Sequence, residues 1–224
     1  MKLEEVLRFV GVTGLPGAGK GAFVNLLRPL LAQSGIETRY YSLSDELRAE
    51  ARRRGRDIAR PVLRAIANEL RLQHGSGVLS KLVINKMREE LEPLPGDTPL
   101  VVIIDAIRNP EEVKVLRQEL GTCFTLAGVE APLELLIDRI ASRARFDEPE
   151  EFVQQKEAAR RMILGESGRD EPAHGHNITQ CVAMADYHID NSQSLETLAA
   201  NTMRFIEAAI PVPAQQNEEA GDGH

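Results

Sequence analysis

RFVGVTGLPGAGKGAFVNLL, residues Arg8 to Leu27, passes from a short apolar run through a glycine-rich loop into a helical pattern. The run Arg8 to Thr13 reads as a strand and Ala22 to Gln33 as a helix, and between them GLPGAGK, Gly14 to Lys20, fits G-x-x-x-x-G-K. Glycines let successive backbone amides turn inward around phosphate oxygens, and the helix that follows offers its unpaired N–H groups and the positive end of its dipole. Lys20 adds a charge where a terminal phosphate lies. Gly14, Leu15, Pro16, Gly17, Ala18, Gly19, Lys20, Gly21 and Ala22 are therefore expected to cradle a nucleoside triphosphate. One position departs from the common motif: Gly21 and then Ala22 follow the lysine, so no hydroxyl stands there for a metal ion.

Outward from this loop, Gly35 ends the first helix, and Glu37 to Ser42, rich in Thr and Tyr, reads as a second strand. Asp45 to Glu92 is helical, broken at Gly55, Pro61 and Gly75-Ser76-Gly77, with Ser44 or Asp45 as the first cap. Pro93, Pro95, Gly96 and Pro99 mark a loop before Leu100 to Ile104, an unbroken apolar strand with Asp105 at its end. A helix over Pro110 to Leu120, a strand over Phe124 to Val129 and a helix from Pro132 to about Arg145 follow. Phe146 to Asn177 turns charged and glycine-rich, with the character of a mobile flap. A short strand at Tyr187 to Ile189 and a helix over Leu195 to Ala209 close the chain, and the tail 211–224 is too polar to fold. Alternation of strand and helix predicts a three-layer α/β/α domain with a parallel sheet of about five strands. One domain spans 1–210, with its core at 8–42, 98–143 and 178–210, an acceptor-binding helical insert at 43–92 and a lid at 144–177.

The bulk composition narrows the function. The 224 residues suit one sizeable domain, and the net charge of -7 disfavours a nucleic-acid backbone or an anionic membrane as the main partner. No run approaches the roughly 20 apolar residues of a membrane span, and the start is too acidic for a secretory signal, so a cytoplasmic protein is expected. Cys123 and Cys181 stand far apart and in no CxxC pairing, which suits reduced thiols.

GLPGAGKG resembles the loop of the adenylate-kinase type of nucleoside monophosphate kinase, which also has Gly after Lys, although that family usually has Thr where this chain has Ala22. SLSDELRAE, Ser42 to Glu50, resembles that family's acceptor segment, Ser-x-x-Asp-x-x-Arg. Ser42, Asp45 and Arg48 match, while Leu43 and Ser44 replace its usual Thr and Gly. The resemblance implies that Arg48 holds an acceptor phosphate, a task suited to a guanidinium fork. VVIIDAIRNPEEV carries D-x-x-R-N-P-x-E, similar to deoxynucleoside monophosphate kinases and to archaeal and bacterial proteins of dephospho-CoA-kinase-like type. Asp105 there can hold metal-bound water or take a hydroxyl proton, and Arg108 can reach an acceptor phosphate. Arg139 and Arg143, four apart on one helix face, resemble lid arginines that stabilise the transferring group, and Arg169 is placed to join them.

The basic run Arg52, Arg53, Arg54 and Arg56 is read as a solvated helix face. His174, His176 and Cys181 match no common zinc spacing, and the two histidines are read as exposed on the flap. Together these features predict an ATP- and Mg²⁺-dependent kinase, monomer or homodimer, acting on a small nucleotide. Dephospho-CoA as acceptor, or a nucleotide-binding sensor without transfer, are the rival readings.

Overall fold

The computed structural model describes residues 7–91, 99–142, 149–168 and 171–210, and for 149–153 the backbone only. Five strands, β1 (Leu7–Thr13), β2 (Glu37–Ser42), β3 (Leu100–Ile107), β4 (Phe124–Glu130) and β5 (Tyr187–Asp190), form one parallel sheet in the order β2-β3-β1-β4-β5. Between them run α1 (Lys20–Gln33), α2 (Leu43–Arg53), α3 (Arg60–His74), α4 (Val78–Glu90), α5 (Pro110–Leu120), α6 (Leu133–Ala141), α7 (Pro149–Ser167), α8 (Ile178–Ala183) and α9 (Leu195–Ala209). Among the described residues no helix is long and apolar enough to cross a membrane.

Both faces of the sheet are covered, which is why its central strands are continuously apolar rather than alternating. Along β3, Val102 and Ile104 pack with α2, α3, α4 and α5, while Val101 and Ile103 pack with α1, α6, α7 and α9. The same two-residue period sends Phe124 and Leu126 of β4 to the first layer and Ala127 and Val129 to the second. The result is the three-layer P-loop architecture that the sequence predicts. With β1 between β3 and β4, the chain reverses direction across the sheet at β1, and the crevice beyond these strands' C-terminal ends is where ligands collect in open parallel sheets.

Local chemistry differs from the expectation at three places. Ser42 caps α2, its Oγ accepting from the Ser44 amide at 3.2 Å, so the cap falls before Ser44 and Asp45. The strand expected to stop at Ile104 continues to Ile107 through a bulge: Gly11 pairs with Ile104 but Thr13 with Ile107, and Ala106 takes up the extra residue at φ 66°. Most of the described part of 144–177 is the 19-residue helix α7, whose Ala159 and Ile163 are buried in the core at i and i+4, so a charged composition concealed an anchored helix. Arg143, Arg169 and the tail 211–224 lie outside the described residues.

Candidate functional site: a phosphate loop facing an arginine-lined cavity

The loop between β1 and α1 is built on glycines whose backbone conformation and close neighbours leave no room for a Cβ. Gly14 has φ +149° and an added Cβ would lie 2.4 Å from the Val129 carbonyl oxygen, while at Gly19, φ +94°, it would lie 2.0 Å from the Asn191 amide nitrogen. That amide donates to the Ala18 oxygen at 2.7 Å, and Arg139 donates to the Asn191 oxygen at 2.9 Å, so the strand after β4 and helix α6 brace the loop from behind. Gly19 precedes α1 without a side-chain cap and no acidic residue stands in its first turn, leaving the helix N-terminus open to an anion. The Lys20 Nζ folds back to donate to the Gly14 oxygen at 2.7 Å. Enclosure lowers the Lys20 pKa to about 8, a fall that the Asp105 carboxylate partly opposes.

Beside the loop lies a cavity of about 390 Å³ lined by Pro16, Gly17, Gly19, Lys20, Gly21 and Ala22, together with Arg60, Arg108 and Glu166. The last three also line a larger cavity of about 810 Å³ between α2, α3 and α7. Its walls combine Leu47, Ile58, Pro61 and Met162 with Arg48 and Arg64. Three of its four arginines are paired with carboxylates: Arg48 with Asp45 at 2.6 Å, Arg60 with Glu166, and Arg64 with Glu171. The Arg108 guanidinium makes no hydrogen bond or ion pair with a described residue. Burial presses its pKa down, with Glu166 opposing and Arg60 adding to the fall.

The turn after β3 is held with care. Asn109 caps α5, and Glu112 reaches back to accept from the amides of Arg108 at 2.8 Å and Asn109 at 3.0 Å. Glu112 is in turn bound at 2.6 Å by Arg71 of α3, with both side chains essentially sealed from solvent. The Asn109 amide donates to the Gly175 oxygen at 2.7 Å, which ties in the segment carrying His176. His176 is 3% exposed and lines the larger cavity, which corrects the expectation of an exposed flap residue. Burial first, and then the surrounding arginines led by Arg108, lower its pKa to about 2, so it is neutral. Asp105 receives the Tyr40 hydroxyl on Oδ2 at 2.9 Å, while its buried Oδ1 has no partner.

No family model matches the chain. A UPF0200 protein of Hyperthermus butylicus is 31% identical over 198 residues, covering 87% of this chain and 91% of that one. The chain belongs to the UPF0200 family. A UPF0200/UPF0201 protein of Archaeoglobus fulgidus is 28% identical over 200 residues, 89% of this chain but 55% of its own length, so the chain spans about half of that relative. Among solved structures, the crystal structure of APE1195 is similar at a TM-score of 0.52 with 21% identity, over 92% of this chain and 98% of that one, a likeness of fold. With the loop between β1 and α1 and the five-stranded parallel sheet, the three-layer P-loop fold expected from the sequence stands.

In this UPF0200 chain Lys20 and Arg108 line the loop cavity and Arg48 and Arg108 the larger one, while Asp105 lines neither and acts on Lys20 through its charge. Gly14, Leu15 and Ala18 do not line the loop cavity. Ser42 is engaged in capping and Asp45 in pairing with Arg48. Arg139 is placed against the loop backbone, donating to the Gly17 oxygen at 3.4 Å as well as to Asn191, and lines neither cavity. Arg53 and Arg54 of the basic run pair with Glu50, away from both cavities. Sequence reasoning missed Tyr40, Arg60, Arg64 and Glu166. Arg60 and Arg64, four apart beside Pro61 at a helix start, were a readable signal, whereas Glu166 meets Arg60 from more than a hundred residues away.

Proposed function

We propose that this protein transfers the terminal phosphate of ATP to a small nucleotide, and that the acceptor is a (deoxy)nucleoside monophosphate. The observation that carries this reading is that the phosphate-loop cavity and the larger cavity meet at Arg60, Arg108 and Glu166, so a donor phosphate at one and an acceptor at the other would react at their junction. Lys20 and the uncapped start of α1 hold the donor's outer phosphates. Arg48 and Arg108 hold the acceptor phosphate, and the apolar wall of Leu47, Ile58 and Met162 suits a base. Transfer spreads charge over the equatorial oxygens, and Lys20 and Arg108 oppose it.

Magnesium, when bound to the donor's outer phosphates, supplies further positive charge. No group of three or more His, Cys, Asp or Glu among the described residues is arranged to hold a metal by itself, so Asp105, whose Oδ1 has no protein partner, is the residue that fits it, through water. That same unpaired oxygen favours a second reading, in which Asp105 takes the proton of a hydroxyl acceptor such as dephospho-CoA.

The test incubates the protein with ATP and magnesium and each nucleoside monophosphate or dephospho-CoA, and follows ADP beside Lys20→Ala. Acceptor-dependent ADP that disappears in Lys20→Ala supports transfer and names the acceptor. Tight nucleotide binding with no turnover on any acceptor would replace the kinase by a nucleotide sensor.

A further inference from the structure

Glu166 stands where a phosphate site least tolerates a carboxylate. It is 3% exposed, it lines both cavities, and its charge raises the pKa of Lys20 and of Arg108. Left in place, it repels any polyanion that enters the junction. Its partner has the opposite character. Arg60, on the first turn of α3, is 47% exposed along its side chain and spends both its Nε, at 2.9 Å, and its Nη2 on the single oxygen Oε1 of Glu166. A guanidinium with solvent access, donors left over and a place in both cavities is equipped to exchange a carboxylate for a phosphate.

We infer that Arg60 is a further phosphate-binding residue of this site, and that Glu166 occupies its guanidinium as a built-in substitute for the phosphate at the junction of the two cavities. The inference rests on the phosphate-binding part of the proposed function. One turn further along α3, Arg64 repeats the arrangement, binding Glu171 and donating to the Gly165 oxygen at 3.1 Å. Helix α3 therefore grips the end of α7 through two cavity-lining arginines. A phosphate that takes Arg60 releases Glu166, and with it part of the grip. Glu166 is then a competitor of the ligand, and neither a base nor a metal ligand.

Isothermal titration of inorganic tripolyphosphate in EDTA tests this on the full chain, with melting temperatures of the unliganded variants as the check on folding. Glu166→Gln is expected to tighten tripolyphosphate about tenfold by removing the repulsion, and Arg60→Met to weaken it by about tenfold. Because Met at position 60 leaves Glu166 buried without its partner, the double variant Arg60→Met/Glu166→Gln removes that carboxylate as well; it should bind more tightly than Arg60→Met but about tenfold more weakly than Glu166→Gln, and that second difference isolates the arginine. Unchanged or weaker binding in Glu166→Gln, with Lys20→Ala still abolishing binding, overturns the inference and leaves the kinase reading intact. Magnesium-dependent turnover lost in Glu166→Gln with no gain in metal-free affinity also overturns it, making Glu166 a base or metal carboxylate. If Lys20→Ala binds tripolyphosphate as the native protein does, the phosphate-loop reading falls with it.

Discussion

Lys20 couples the phosphate loop to pH. Its pKa of about 8 lies below the 10.5 of an ordinary lysine, so between these values the unfolded chain holds a proton that the folded one has released, and stability rises with pH across that window. The burial cost is fully present below pH 8. Polyphosphate binding favours the protonated form and raises the value again. We therefore expect no proton uptake on ATP binding at pH 7, but an uptake approaching one proton at pH 9, with affinity falling as pH rises above 8. Calorimetry in two buffers of different ionisation enthalpy reads this directly. The other residue that governs the site is Tyr40, whose hydroxyl holds Asp105 by one oxygen and leaves the other free. Tyr40→Phe should lower kcat about tenfold through loss of carboxylate orientation, with KM for ATP unchanged. The loop lysine was visible because its motif is contiguous. Tyr40 was not, because it meets Asp105 only through the pairing of β2 with β3, which aligns Tyr40 with Ile103 and Ser42 with Asp105.

The junction of β3 and α5 is the element on which the proposed acceptor end depends. Its Asn109-Pro110 start and acidic first turn were legible as a helix N-terminus, and so was the strand before it. The bulge at Ala106 was not, since nothing local in Asp105-Ala106-Ile107 announces a positive φ at an alanine. Nor was the Arg71–Glu112 pair, which joins α3 to α5 inside the core. Glu112 does three things at once: it closes the capping box, holds the Arg108 amide and neutralises Arg71. Arg71→Met should thus cost about 3 kcal/mol, because it leaves a sealed carboxylate unpaired, as urea unfolding will show. Glu112→Met should cost a similar amount and also weaken acceptor binding, because Arg108 loses the anchor of its backbone.

Across the whole molecule, the sheet and its two helical layers followed from alternating strand and helix signals, while the cavities did not. They arise where α3, whose role depends on its packing, meets α7, whose charged sequence read as a flap. The segment after α7 brings His176 into that cavity with a pKa of about 2, far below the ordinary 6.5. The unfolded chain takes up a proton there that the folded chain refuses, so stability falls as the pH drops below about 6.5, by up to about 1.4 kcal/mol per pH unit. His176→Gln should flatten the acid limb of a stability curve measured by urea unfolding between pH 6.5 and 4. An unchanged slope would mean that the imidazole is hydrated in the folded state.

The bond from Tyr40 to Asp105 also makes the site optically legible. The chain has three tyrosines and no tryptophan, so its emission under excitation at wavelengths too long for phenylalanine belongs to phenols. An excited phenol surrenders its proton readily to a carboxylate 2.9 Å away and goes dark. Whatever recruits Asp105, whether metal-bound water or an acceptor hydroxyl, competes with that quenching, and the native protein should brighten as its site fills.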